Sequence, residues 1–233
     1  MRWEAYPAVG ERDLRRMTPE TREGDVPHPP PASIKQVASA LCPTRWGNFR
    51  IFGFRSDPEG MPLLGPETAI ALVMGNLNRC PPLVRIHSGC FTGDVFGSLR
   101  CDCGQQLEMA LDMIAGERAG MVIYESQEGC GIGLMAKLRA YELQDRGCDT
   151  VEANHKLGLR ADYRDYRLPI AILKSFGIHQ VRLLTNNPDK VRALERAGIN
   201  VIERVPCEVA PSRENANYLK VKKDKLCHLL TFV

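Results

Sequence analysis

The sequence predicts an α+β (mixed α/β) fold in a single globular domain, with a β-rich N-terminal half and an alternating helix/strand C-terminal half. Three observations lead there. The chain has 233 residues, 44% hydrophobic and 25% charged, enough to bury a sizeable core. Its first half carries short alternating or continuous apolar runs. Its second half interleaves such runs with segments of helical period bounded by glycine or proline.

Residues 1–32 hold six of the sixteen prolines and end in PHPPPA, which reads as a flexible Pro-rich arm. The globular domain is expected over 33–233. GNFRIFGFR (47–55) alternates as a half-buried strand does, and TAIALVMGN (68–76) and PLVRIHS (82–88) read as further strands. GQQLEMALDMIAGE (104–117) sets Leu107, Ala110, Leu111 and Ile114 on one helical face, and MVIY (121–124) is a short buried strand. LMAKLRAYELQDRG (134–147) is a helix with Gly147 as its terminator, followed by a helix over 168–177 and a strand over 180–185. PDKVRALERAG (188–198) is a helix opened by proline and closed by glycine, INVIERV (199–205) a last strand, and the basic C-terminal stretch RENANYLKVKKDKLCHLL a helix.

The net charge of +3 is too mild to point to nucleic acid, and no run approaches the ~20 apolar residues of a membrane span. MRWEAYPAVGERDLRR lacks the apolar stretch of a signal peptide, so a cytoplasmic protein is expected. Nine cysteines, an odd number in such a chain, argue against a disulfide framework. Only Cys90, Cys101 and Cys103 cluster, as C-x10-C-x-C within RIHSGCFTGDVFGSLRCDCGQQLE. Three thiolates suit zinc, either with an open fourth position for water activation or as a closed Cys3His site using His87 or a distant ligand. The spacing leaves both open. Arg85, His87 and Ser88 precede the first cysteine and offer a cation and hydrogen-bonding groups to an anionic substrate.

That stretch closely resembles the zinc motif of the GTP cyclohydrolase II family. The resemblance continues through YESQEGCGIGLMAKLRAYELQDRGCDTVEANHKLG, ADYRDY, LLTNNPDKV, INVIERVPCEV and NANYLKVKKDKLCHLL, covering about residues 35–230 in the family's order. It implies hydrolysis of GTP at C8 of guanine with release of formate and pyrophosphate, giving 2,5-diamino-6-(5-phosphoribosylamino)pyrimidin-4(3H)-one, the first step of riboflavin biosynthesis. It implies one Zn2+ per chain on Cys90, Cys101 and Cys103, Mg2+ with the GTP phosphates, and a homodimer. It assigns nucleotide binding to Arg85, Ile86, His87, Ser88, Gly89, Gln106, Glu128, Gly129, Cys130, Thr150, Thr185 and Lys190. Asp162 matches the proton acceptor, Arg164 the nucleophile, and Tyr141 a tyrosine assigned to ring opening. Because a guanidinium stays protonated, stabilising charge on the phosphate is the milder role for Arg164. Glu128 and Gln106 suit guanine, and Arg85 and Lys190 suit phosphate oxygens.

The resemblance breaks at three positions. Family members usually carry an acidic or amide residue where Gly89 stands, arginine where Cys130 stands, and glycine where Cys227 stands. The alternative these changes suggest is a divergent relative that binds a purine nucleotide with weak turnover or altered substrate choice.

Overall fold

The computed structural model describes residues 34–56, 67–78 and 80–233. The Pro-rich arm expected over 1–32 lies outside the described residues. Seven strands form one sheet in the order β1-β2-β3-β5-β4-β6-β7. They are β1 (Ile34–Thr44), β2 (Gly47–Ser56), β3 (Glu67–Met74), β4 (Leu83–Ser88), β5 (Gly120–Glu125), β6 (Gln180–Leu184) and β7 (Asn200–Val205). The first four in spatial order pair antiparallel, and β5, β4, β6 and β7 pair parallel. Parallel neighbours require crossovers, and helices supply them: α1 (Cys103–Glu117), then α2 (Leu134–Asp145), α3 (Thr150–Lys156) and α4 (Arg167–Ser175), then α5 (Pro188–Arg196). A last helix, α6 (Ala216–Leu226), follows β7. The mixed α+β class read from the sequence is the class observed.

Strand alternation divides the core in two. Val84, Ile86, Met121, Ile123 and Leu183 face the layer of α4 and α5, packing on Leu168, Ile172, Leu173 and Leu194. Leu83, Val122 and Leu184 face the other way, onto Ala110, Leu111 and Ile114 of α1. The period of two also sends Arg85 and His87 to the α1 side, where apolar packing gives out toward the strand end. The carboxyl ends of β4, β5 and β6 thus open a crevice with α1 on one face and α4 and α5 on the other, where ligands bind in open parallel sheets.

Each strand and helix read from the sequence is present within a few residues of its expected limits. One strand and one α-helix carry little signal in the sequence. β1 is exposed along most of both faces, so it shows no apolar alternation. α3 has seven residues, too short for a clear helical period, although the Asp149–Glu152 capping box marks its start.

Candidate active site

The cysteine cluster is built by two local devices. Cys90 lies two residues beyond β4, and the chain then makes a single π-helical turn over Phe91–Val95 before returning to Cys101 and Cys103 at the start of α1. The three Sγ atoms lie within 4.8 Å of one another, with Cys90 and Cys101 3.6 Å apart. Tetrahedral zinc with ~2.3 Å Zn–S bonds spaces its sulfurs by about 3.8 Å, so the donor set fits such an ion. Gly93 makes the wrap possible: a Cβ there would stand 3.0 Å from Cys101 Sγ and 3.1 Å from Cys90 Sγ. Cys101 and Cys103 hydrogen-bond to Cys90 and push its thiol down, with Lys137 assisting. Cys101, which receives a hydrogen bond from Cys103 and gives one to Cys90, is pushed up to about 11, and Cys103 is raised by donating to both. All three ionise together only with a cation among them.

His87 does not complete the set. Its Nε2 lies 3.1 Å from Asp94 Oδ2 and its ring stacks on Tyr124, and among the described residues no histidine, cysteine or carboxylate joins the three thiols. The closed site using His87 is therefore not the arrangement found. Asp94, which no sequence signal singles out, is a hub: Oδ2 also accepts from the Cys90 amide at 2.9 Å and the Tyr124 hydroxyl at 2.9 Å. Burial holds the His87 pKa down against the Asp94 hydrogen bond that raises it.

The cluster opens into a cleft whose walls bring most of the remaining site residues together. Arg85, 5% exposed, donates from Nη1 to the Leu184 carbonyl at 3.1 Å and from Nη2 to Gln106 Oε1 at 2.6 Å, while Gln106 Nε2 donates to Asp102. Glu128 accepts from the Phe91 amide at 2.6 Å, Lys137 Nζ at 2.6 Å and the Gly129 amide at 3.1 Å. Lys137, unremarked in the sequence, also reaches Cys90 Sγ at 2.9 Å. Tyr141 faces the cleft from α2, with its hydroxyl 3.2 Å from Thr92 Oγ1 and the Arg100 guanidinium 4.7 Å over its ring. Ser88, Gly89, Gly129, Cys130 and Thr150 line the same space. Cys130 stands in a left-handed conformation at φ 60°, between two positive-φ glycines.

At the far end, Arg164 and Lys190 face the cleft with Thr185, in the strand–turn–helix TNNP, where Asn187 caps α5 by accepting from the Asp189 amide at 2.9 Å. Asp162 grips the Arg164 guanidinium through both carboxylate oxygens, at 3.0 and 2.9 Å from Nε. Burial pulls the Arg164 pKa down, but Cys130, Tyr166 and Asp162 together carry it above its ordinary value. Lys190 donates to the Ile86 carbonyl at 2.7 Å, and burial with Arg85 and Arg164 nearby depresses its pKa. Two expected residues stand apart from the cavity wall. The Ile86 side chain is in the core, and Asp162 lies behind Arg164. Residues the sequence reading missed complete the wall: Asn154 from α3, Tyr218 and Lys222 from α6, and His228 beyond it. Arg85 Nε, Ser88 Oγ, Asn154 Oδ1 and His228 Nε2 are buried with no hydrogen-bond partner among the described residues, and all four side chains border the cleft. Such a set of waiting donors and acceptors is what a polar ligand satisfies.

The GTP cyclohydrolase II family model matches residues 35–206, which include all but the last of these walls. The chain belongs to the GTP cyclohydrolase II family. It is 51% identical over 199 residues to the GTP cyclohydrolase-2 of Buchnera aphidicola subsp. Acyrthosiphon pisum, covering 85% of this chain and all of that one. It is also 51% identical over 198 residues to the GTP cyclohydrolase-2 of Escherichia coli O45:K1, covering 84% of this chain and 98% of that protein. The same region is 51% identical over 200 residues to the riboflavin biosynthesis protein RibBA of Phocaeicola vulgatus, covering 85% of this chain and 48% of that longer protein. As a member of the family the chain is an enzyme, a hydrolase of riboflavin biosynthesis. Among the described residues, no helix is long and apolar enough to cross a membrane.

Proposed function

We propose that the protein hydrolyses GTP, opening the guanine imidazole ring with release of formate and pyrophosphate to give 2,5-diamino-6-(5-phosphoribosylamino)pyrimidin-4(3H)-one. One observation carries the reading: a three-thiol cluster and a cationic end occupy the same cleft in a chain matched by the family over 35–206. Cys90, Cys101 and Cys103 would hold one Zn2+ per chain. When bound, that ion supplies Lewis-acid activation of water at neutral pH.

The chain's own residues supply the rest. Tyr141 orients water or moves a proton at its hydroxyl, held near the cluster by Thr92. Burial raises its pKa, so it acts as a neutral donor. Gln106 and Glu128 bind guanine with the capacity their protein bonds leave: Glu128 has about four lone-pair sites and uses three. Arg85, Lys190 and Thr185, with Mg2+, bind phosphate oxygens. His87, Ser88, Gly89, Gly129, Cys130 and Thr150 shape the nucleotide pocket, while Ile86 contributes through its carbonyl.

Arg164 stabilises negative charge on the phosphate as pyrophosphate leaves. Its raised pKa favours this over attack by a free guanidine. Asp162, standing behind Arg164, fixes the guanidinium for that role. A cytoplasmic homodimer, with neither nucleic acid nor membrane as partner, belongs to the same proposal. The test is incubation of the zinc-loaded protein with GTP and Mg2+, measuring formate, pyrophosphate and the pyrimidine absorbance. Equimolar formate and pyrophosphate are expected; GTP binding without either product would leave a nucleotide-binding protein and defeat the proposal.

A further inference from the structure

The segment after residue 206 lies beyond the span matched by the family model, yet it forms one wall of the cleft. Helix α6 is anchored on the outside by Lys225, which pairs with Asp149 and Glu152 at the start of α3. It ends at Cys227, whose left-handed backbone at φ 53° turns the chain back. The Leu229 amide then donates to the Asn186 carbonyl at 2.8 Å, pinning the tail to the TNNP turn. This path leaves Tyr218, Lys222 and His228 facing the cavity.

Lys222 is the member of this wall without sufficient protein partners. Its side chain is 12% exposed, and its ammonium sits 3.5 Å from Asp102 Oδ1 and 4.4 Å from the centre of the Tyr218 ring. It makes no hydrogen bond among the described residues, and the other Asp102 oxygen is taken by Gln106. An ammonium has three donors, and burying them unused is costly. Lys222 also shares the cavity with Arg85, Arg164 and Lys190. Basic side chains converging on one space, with Lys190 depressed in pKa by burial and by Arg85 and Arg164, suit an anion of several charges among them. His228, with its free Nε2, stands in the same group and stays neutral there, adding a hydrogen-bonding atom without a further charge.

We propose that Lys222 is a substrate-binding residue that donates to the phosphate chain of the nucleoside triphosphate, so that the C-terminal helix completes the polyphosphate end of the site. The inference rests on the GTP reading above. It makes the Asp102–Gln106–Arg85 chain a brace that joins Lys222 to the floor of the same cleft.

The experiment compares binding of a non-hydrolysable GTP analogue and of guanosine to the zinc- and Mg2+-loaded wild type and to Lys222→Gln and Lys222→Arg, with zinc content measured on each. Loss of one charged hydrogen bond should raise Kd for the analogue about tenfold or more in Lys222→Gln. The guanosine Kd and the zinc content should stay unchanged, and Lys222→Arg should recover most of the loss. Equal weakening of analogue and guanosine, loss of zinc, or no change in either Kd would overturn the role of Lys222. Failure of the wild type itself to bind the analogue would instead strike the GTP reading. A measurement on the wild type stands independently of how the variants fold: the analogue, but not guanosine, should shield Lys222 from amine acylation mapped by mass spectrometry, and equal labelling with and without it counts against the proposal.

Discussion

At the scale of single residues, Arg164 and Cys130 are the informative pair. Arg164 is gripped by Asp162 in a geometry that fits a planar fork, and its pKa is raised through Cys130, Tyr166 and Asp162 against the effect of burial. Lysine keeps the charge but not the fork. Arg164→Lys is therefore expected to slow pyrophosphate release about a hundredfold while formate production persists. Parallel assays of the two products check this, and unchanged pyrophosphate release would reduce the pair to a structural ion pair. Cys130 faces the cleft beside Arg164 from a left-handed position whose backbone cost is similar for cysteine and arginine. Arginine there adds a cation with no new backbone penalty relative to cysteine. Cys130→Arg should raise kcat/KM for GTP about tenfold, read from steady-state kinetics. Gly89 has a different reason. A Cβ at that position would stand 2.8 Å from the Tyr124 hydroxyl and 3.0 Å from the Glu125 carbonyl, so the absent side chain leaves Tyr124 free to bond Asp94.

At the scale of elements, the π-helical turn and the first turn of α1 form one candidate metal-binding unit. Gly93 is enclosed by sulfur, and Gly104 is pressed from the other side, since a Cβ on it would stand 2.6 Å from the Gly93 carbonyl. Gly93→Ala forces a methyl group between ligands that must close on one ion. Bound zinc is expected to fall from one per chain to well below half, with helix content unchanged, as metal analysis and circular dichroism would show. Cys227 illustrates element logic of another kind. It caps α6 with a left-handed backbone, a conformation that glycine adopts at lower cost, and the turn it makes carries His228 into the cleft.

At the scale of the molecule, the tail makes stability depend on pH. His228 is pushed down to about 2 by burial and by Lys222, Arg164, Lys190 and Arg85, against about 6.5 in the unfolded chain. Below pH 6.5 the unfolded state takes up a proton that the folded state refuses. Stability is therefore whole above that pH and falls by up to about 1.4 kcal/mol per pH unit below it. Denaturant unfolding at pH 7.5 and 5.5 should show this loss in the wild type. The loss should be smaller in His228→Gln; an identical loss in both proteins would mean that His228 is not excluded from protonation.

The sequence by itself determined the mixed fold class, the places of its main strands and helices, and the three cysteines as a metal candidate. Those signals are local: a period of two or 3.6, a proline or glycine at a helix end, a spacing of cysteines. β1 escaped because it buries neither face well, and the short α3 because it spans only two turns. What only the tertiary structure decided is which polar groups meet. Asp94 reaches His87, Cys90 and Tyr124; Glu128 meets Lys137 and the Phe91 amide; Lys222 and His228 come from the far end of the chain to stand by Arg164 and Lys190. No spacing encodes these encounters. They arise because the parallel crossovers and the final helix bring the ends of distant elements to one crevice, where burial and shared charge decide which groups stay neutral, which stay charged and which are left for a ligand.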